Sequence, residues 1–368
     1  MMFLDQVDAL IAFDVHGYLA DVTPDQVKRS LNKSLLNRFD FLNLISPVAE
    51  PFLEEMATRA RRETIQYFGR TVGLYAPIYI SDYCANGCVY CGFNSSNHFK
   101  RTKLSLEEIE QECRILAATG IRHTMILTGE APLKTPLDYL ESAVKIIKQY
   151  FPSISLEIFP MDQPEYEVLN RAGADALTVY QETYNKKVYQ EVHPSGKKAD
   201  YAYRLETPER GARAGFRSVN IGTLFGLGDL CQEVFIVACH ARFLEKKYPQ
   251  VEVGLSMPRM RTATGAISPR NILSDFQFVQ FMTALRIYLP RIGMSISTRE
   301  AADFRDKLIH LGVTRFSAGS KTDVGGYAMA AKDESAQFDI ADKRNVDQVV
   351  AMIQNSGYQP VFKDWDRI

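Results

Sequence analysis

Val72-Gly-Leu-Tyr-Ala-Pro-Ile-Tyr-Ile80-Ser-Asp-Tyr-Cys84-Ala-Asn-Gly-Cys88-Val-Tyr-Cys91-Gly-Phe93 joins an apolar, strand-like run to three cysteines spaced C-x3-C-x2-C. Three close thiolates hold three corners of a cubane [4Fe–4S] cluster and leave the fourth iron open, a place for chemistry as well as electron transfer. Structural zinc asks for four closed ligands, commonly as paired C-x2-C units. No second pair exists here, and Cys113, Cys231 and Cys239 are isolated. A zinc-bound scaffold would need a remote fourth ligand, such as His98 or His123. Six cysteines in 368 residues do not make a small disulfide-stapled domain.

Outward from this stretch, short β-branched runs alternate with amphipathic ones. Strands are predicted over Val72–Ile80, His123–Thr128, Ile154–Phe159, Ala176–Gln181, Ser218–Thr223, Val251–Met257, Met294–Thr298 and Val313–Ala318. Helical patterns fill most of the intervals: Ser105–Ala118, Pro136–Tyr150, Leu230–Lys247, Ser274–Leu289 and Ala301–Leu311. Eight strands alternating with helices imply parallel βαβ units. Closure into a (β/α)8 TIM-type barrel is the expected α/β fold, with an open doubly wound sheet as the alternative. Residues 1–70 read as a helical extension, with Ser46-Pro47 as a helix start and Phe52, Met56 and Ala60 at helical spacing. The barrel is assigned to 71–320 and a closing segment to 321–368.

In such a barrel the chemistry lies at the carboxyl ends of the strands. The polar clusters fall there in register: the cysteine run, Thr128-Gly-Glu130, Tyr180-Gln-Glu-Thr-Tyr184, Gly226-Leu-Gly-Asp229, Pro258-Arg-Met-Arg261, Ser297-Thr-Arg-Glu300 and Ser317-Ala-Gly-Ser-Lys321. Their coincidence predicts one shared site.

The composition narrows the partners. Hydrophobic residues make up 46% and charged residues 24%, ordinary for a globular protein. Net charge is −1, from 43 basic and 44 acidic residues, so nothing favours nucleic acid or an anionic membrane surface. Apolar runs are too short for a membrane span. The acidic start differs from a signal peptide, and with unpaired thiols it predicts a reducing cytoplasm.

The cysteine motif, with Tyr90 before its last cysteine and its place after the first barrel strand, resembles the signature of the radical S-adenosylmethionine enzymes. Tyr180-Gln-Glu-Thr-Tyr184, Arg204-Leu-Glu-Thr-Pro208, Ser297-Thr-Arg-Glu300, Gly325-Gly-Tyr327 and Lys363-Asp-Trp-Asp366 together resemble the tyrosine lyases of thiamine biosynthesis within that superfamily. The resemblance runs from the N-terminal helices to the last residues. It implies a [4Fe–4S] cluster, S-adenosylmethionine chelated at the open iron, and a 5′-deoxyadenosyl radical. That radical takes a hydrogen atom from the amine of L-tyrosine. Cleavage between Cα and Cβ then gives 2-iminoacetate (dehydroglycine) and p-cresol. The implied partners are a reduced flavodoxin or ferredoxin as electron donor and a thiazole synthase that receives the labile imine.

The same resemblance implies residue roles. Cys84, Cys88 and Cys91 are the cluster ligands, and Tyr90 contacts the nucleoside. Gly129 and Glu130 receive the methionine ammonium. Arg204 pairs the carboxylate of S-adenosylmethionine, as a forked guanidinium suits a carboxylate. Gly222 and the run from Leu224 to Asp229 present backbone to adenine. Glu157 and Glu182 hold ribose hydroxyls or the substrate amine, and Glu182 is one candidate base. Arg299 anchors the tyrosine carboxylate, helped by Ser297, Ser317 and Ser320. Arg259 and Arg261 compete for that role, at least one of the three arginines being structural and Glu300 an expected partner. The tail at Lys363–Asp366 is expected over the barrel mouth. Two rival activities belong to the same branch: a tryptophan lyase, and a hydrogenase maturase that carries a second cysteine-bound cluster near its C-terminus. No cysteine follows Cys239, which argues against the maturase.

Overall fold

The computed structural model describes residues 2–328 and 336–363. Among them are nine parallel strands: β1 (Thr71–Ser81), β2 (His123–Thr128), β3 (Ser153–Glu157), β4 (Ala176–Glu182), β5 (Ser218–Thr223), β6 (Glu252–Ser256), β7 (Gly293–Ile296), β8 (Arg315–Ser317) and β9 (Gln359–Val361). Strands β1 to β8 pair in sequence order. β1 closes the ring by pairing β2 through Ala76–Ser81 and β8 through Gly73–Tyr75. The barrel expectation holds, and each of the eight predicted strands is present within a few residues of its expected bounds. β9 was not expected. It adds to the first residues of β1, Thr71–Gly73, at the amino end of the barrel.

Capping boxes set several helix starts: Ser105 with Glu108, Asp162 with Glu165, Ser274 with Gln277 and Asn345 with Gln348. Each satisfies backbone donors that the first turn leaves unpaired. The start at Ser46-Pro47 differs from expectation. Pro51 has no N–H to close an α-turn, so Pro47–Phe52 winds as a 3-10 helix and the α-helix begins at Leu53. The Ser46 hydroxyl turns back and donates to the Asn43 carbonyl at 2.8 Å. Helix Asp275–Tyr288 packs on helices Arg38–Ile45 and Leu53–Phe68, and Gln280 donates to the carbonyls of Leu44 and Ser46. These contacts dock the N-terminal helices against the barrel wall.

The chain after residue 320 does two different things. The Glu112 carboxylate accepts the Tyr327 and Ala328 N–H groups, pinning the first part to helix Leu106–Ala118. Residues 337–342 then cross the barrel mouth. Gly92 N donates to the Gln337 carbonyl, Asp339 N to Thr262 and Ala341 N to Thr298. Helix Val346–Asn355 and β9 instead return to the amino end, so only part of this segment closes the mouth. Residues 364–366 of the tail motif lie outside the described residues. Among the described residues no helix is long and apolar enough to cross a membrane.

TIM barrels usually fill their interior with branched side chains. Here Gly73, Gly254, Gly293 and several serines face inward. They leave a polar chamber of about 330 Å³ in the amino half, beneath the cavity at the mouth.

Candidate active site

The cysteine loop is clamped on both sides. Gly129, just after β2, lies so close to it that an added Cβ would lie 2.3 Å from the Tyr83 carbonyl oxygen and 2.9 Å from Cys84 Cβ. The Glu130 carbonyl accepts the Ala85 N–H, and its carboxylate accepts Asn86 Nδ2 at 2.7 Å. Glu130 is thus a brace of the loop as well as part of the cavity wall. Gly129→Ala must therefore push the loop outward, and the iron and sulfide bound per chain after anaerobic reconstitution are expected to fall several-fold, read by metal and sulfide analysis.

Cys84, Cys88 and Cys91 line one cavity over the barrel. Burial pushes the Cys88 thiol up to about 11 and the Cys91 thiol up to about 12. Thiolates here therefore need a cation bound directly to them. Among the described residues no three ligand side chains converge as around a single ion. A cubane asks for a different arrangement, with each thiolate on its own iron. The rest of the wall suits a charged, polar cofactor: Thr128 Oγ1 and Arg261 Nε are buried without hydrogen-bond partners among the described residues. The donor set and these unmet groups fit an iron–sulfur cluster carrying S-adenosylmethionine.

Carboxylates and cations alternate around this cavity. Glu182 ends β4 after a register shift and is the only non-glycine residue with positive φ among those described, at 70°. Such strain is held where surrounding structure over-determines it. Lys198 lies 2.8 Å and Arg204 3.5 Å from its carboxylate. Burial alone would raise its pKa, but these two cations more than offset that and hold it below the usual range. Arg204 Nε also donates to the Tyr180 carbonyl at 2.7 Å. Glu157 ends β3 with no hydrogen bond or ion pair to another described side chain. Burial drives its pKa up to about 7 against the opposing pull of Arg299, with Glu182 adding to the rise. Its accessible edge faces both this cavity and a second one deeper in the barrel.

Tyr90 forms part of the wall, and its hydroxyl is 2.7 Å from His193 Nε2. Burial pushes His193 down to about 2. The neutral imidazole donates from Nδ1 to the Tyr189 carbonyl and accepts the Tyr90 O–H. Leu224 lines the cavity as expected. Asp229 does not. It caps helix Leu230–Lys247 through Gln232 N and pairs with His16 at 2.8 Å, on the outer side of the loop. Its assignment to the cofactor is corrected: an aspartate just before a helix is drawn to the helix's free N–H groups.

The three arginines near the mouth are also sorted. Arg259 is held by Glu300 and Asp275, and Arg261 by Glu300 at 3.0 Å. Arg299 has no acidic partner within ion-pair distance among the described residues. Its guanidinium lies 3.4 Å from the centre of the Phe338 ring and borders both cavities. Ser320 Oγ, buried and without a partner among the described residues, faces the deeper cavity. Ser297 and Ser317 also line it. Their hydroxyl oxygens accept the backbone N–H groups of Arg299 and Thr298, so they shape this turn.

Lys198, Asn86, His193, Gln337 and Phe338 belong to the site but were not singled out from sequence. Gln337 accepts the Tyr79 O–H at 2.7 Å. These residues come from connections between elements or, for Lys198, from a one-turn 3-10 helix (Lys197–Ala199), where no periodic signal marks them.

A parallel barrel with three thiols and an adjoining charged pocket at the carboxyl ends of its strands defines a radical S-adenosylmethionine enzyme. Residues 78–234 match the model of the Radical SAM superfamily, and residues 256–359 match the Biotin and Thiamin Synthesis associated domain. The chain is 40% identical over 365 residues to 2-iminoacetate synthase of Salmonella typhimurium, covering 99% of this chain and 97% of that protein. It is 41% identical over 354 residues to that of Escherichia coli, covering 96% and 94%. The chain belongs to the 2-iminoacetate synthase family. Among solved structures, the FeFe-hydrogenase maturase HydG from Carboxydothermus hydrogenoformans superposes with a TM-score of 0.90 at 30% identity, over 99% of this chain and 86% of that one. Methylornithine synthase, at 22% identity and a TM-score of 0.75, shares the fold.

Proposed function

We propose that this protein cleaves L-tyrosine between Cα and Cβ, giving 2-iminoacetate and p-cresol for thiazole formation in thiamine biosynthesis. The observation that carries the reading, within a chain of this family, is Arg299: a guanidinium with no acidic partner among the described residues, bordering both the three-thiol cavity and the deeper pocket. An amino acid zwitterion needs an anion anchor there. A guanidinium supplies two parallel N–H donors to a carboxylate, and the Ser320 hydroxyl supplies a third.

When bound, the cluster and S-adenosylmethionine supply one-electron cleavage of a sulfonium and a radical that abstracts hydrogen. The residues of this chain prepare the other reactant. Glu157 is the base that takes a proton from the substrate ammonium, since hydrogen-atom transfer from nitrogen calls for the neutral amine. A carboxylate with a pKa near the working pH suits that task. Glu182 does not, because Lys198 and Arg204 keep it ionised and paired. Glu182 instead fixes those two cations, and Arg204 keeps N–H groups available for the methionine carboxylate. Cys84, Cys88 and Cys91 hold the cluster, and Gln337 and Phe338 exclude water from the mouth. A flavodoxin- or ferredoxin-type reductant and a thiazole synthase complete the reading, in the cytoplasm.

The reconstituted protein, kept anaerobic with reductant, S-adenosylmethionine and L-tyrosine, should release p-cresol and 5′-deoxyadenosine. Product from tryptophan but not tyrosine would overturn the substrate, and bound zinc without acid-labile sulfide would overturn the radical chemistry.

A further inference from the structure

We propose that the outer face of the cysteine loop is the docking surface of the electron donor, an acidic one-electron carrier protein of the flavodoxin or ferredoxin type, met by Lys100, Lys103, Lys134 and Lys197 around the apolar Leu133. The inference rests on the reading of a cluster reduced by such a carrier, and adds where the carrier binds.

Three segments wrap the loop that holds Cys84, Cys88 and Cys91: residues 92–106, 131–137 and 193–199. Neither they nor residues 83–91 contain an aspartate or glutamate. They do contain Lys100, Arg101, Lys103, Lys134, Lys197 and Lys198, in a chain whose net charge is −1. The next acids along each segment are Glu107, Asp138 and Asp200, all at helix starts, where free N–H groups and the helix dipole draw negative charge.

The structure sorts these cations. Arg101 donates to the carbonyls of Asp82, Phe93, Asn94 and Asn97, and so staples the loop. Lys198 turns inward to Glu182. Lys100, Lys103, Lys134 and Lys197 are exposed, and among the described residues none has an acidic partner at ion-pair distance. The segments meet around the loop. Lys103 Nζ donates to the Lys134 carbonyl at 2.9 Å, and Lys134 Nζ lies 5.3 Å from the centre of the Tyr83 ring, next to Cys84. Asn86 joins the other side: its Oδ1 accepts the Lys198 N–H at 3.1 Å and its carbonyl accepts the Ser95 N–H. Ala85, between Tyr83–Cys84 and Asn86, is exposed. The lysines therefore frame the place where chain beside a cluster ligand reaches solvent. The cavity side is walled by Gln337 and Phe338, and residues 337–342 cross it, so a protein cannot approach from there.

Leu133, beside Lys134, is 98% exposed and gives the basic ring an apolar contact point. Transient redox encounters use small interfaces. Complementary charge serves them by raising the encounter rate more than the affinity. In the transfer the carrier loses one electron and the cluster gains it, with no bond made or broken.

The test uses the full chain with its cluster reconstituted, kept anaerobic, and an acidic flavodoxin as the probe. Calorimetry at low salt reads binding of oxidised flavodoxin, without turnover. Stopped-flow bleaching of the cluster reads transfer from reduced flavodoxin. Photoreduced 5-deazariboflavin, small and uncharged, supplies the same electron without docking. Lys103→Glu combined with Lys134→Glu should slow transfer from flavodoxin roughly ten- to a hundredfold at low salt, flatten its salt dependence and weaken the binding. Iron content and p-cresol formation driven by deazariboflavin should not change. Leu133→Ser should weaken binding and keep the salt dependence. Lys28→Glu with Arg29→Glu, an equal change of charge on helix Pro24–Asn32, should leave transfer as it was. Equal slowing by that control would mean that only net charge matters, and equal slowing with both reductants would mean that the lysine variants harm the cluster. Either result would overturn the inference, as would unchanged transfer from flavodoxin, and each would leave tyrosine cleavage by the wild-type protein intact. A wild-type cluster that neither reductant reduces would overturn the radical reading as well.

Discussion

Replacing Glu157 with glutamine is expected to lower turnover by about two to four orders of magnitude, the usual scale for losing a positioned general base, with the cluster retained. Glutamine keeps the size and polarity of the side chain but cannot accept the ammonium proton. The pH dependence is the sharper readout. Burial raises the Glu157 pKa to about 7, and the base acts only when ionised. Wild-type turnover should therefore rise as pH increases through about 7 and level off above it. In Glu157→Gln that limb should vanish and the remaining rate follow the ionisation of the substrate amine. Persistence of the same limb in the variant would assign it to another group. Glu182→Gln provides the contrast. Lys198 and Arg204 hold Glu182 low, so that change should disturb binding of S-adenosylmethionine without moving the limb near 7.

Arg299→Ala should raise the KM for tyrosine by roughly two to three orders of magnitude, the scale for removing one partner of a buried charge pair. The iron–sulfur absorption should not change, because Arg299 does not brace the cysteine loop. Arg299→Lys should recover only part of the loss. An ammonium offers a point charge where a carboxylate wants a planar fork, and it loses the flat stacking on Phe338. Loss of the cluster spectrum in Arg299→Ala, or an unchanged KM, would refute the anchor. Arg259 and Arg261 are the internal controls. Both are committed to Glu300, so their replacement should lower stability more than tyrosine affinity.

The barrel was legible in the sequence because period and composition report local structure well. The β-branched runs at His123–Thr128 and Ser218–Thr223 became strands with those bounds, and Leu230–Lys247 became a helix with those bounds. A βα order leaves few ways to bury such strands. The same order places every candidate polar cluster at one end, so most of the site could be named from it. β9 escaped notice because Gln359–Val361 is too short to show alternation, and its pairing with Thr71–Gly73 joins segments far apart in the chain. Asp229 was misread because a glycine-rich turn before a helix looks alike whether it faces a ligand or caps the helix.

What the sequence by itself determined was the list of chemically able residues and the face on which they gather: three thiols at cluster spacing, carboxylates and arginines at strand ends, and the hydroxyls beside them. Only the tertiary structure decided which of these are free to act. Glu157 and Glu182 are the same residue type at neighbouring strand ends, yet among the described residues one lacks a cation at ion-pair distance and the other has two. Arg259, Arg261 and Arg299 are equally basic in sequence, but Glu300 takes the first two. The reason is physical. Ionisation and availability depend on burial and on charges a few ångströms away, and those distances are set by side chains brought together from strands far apart in the chain.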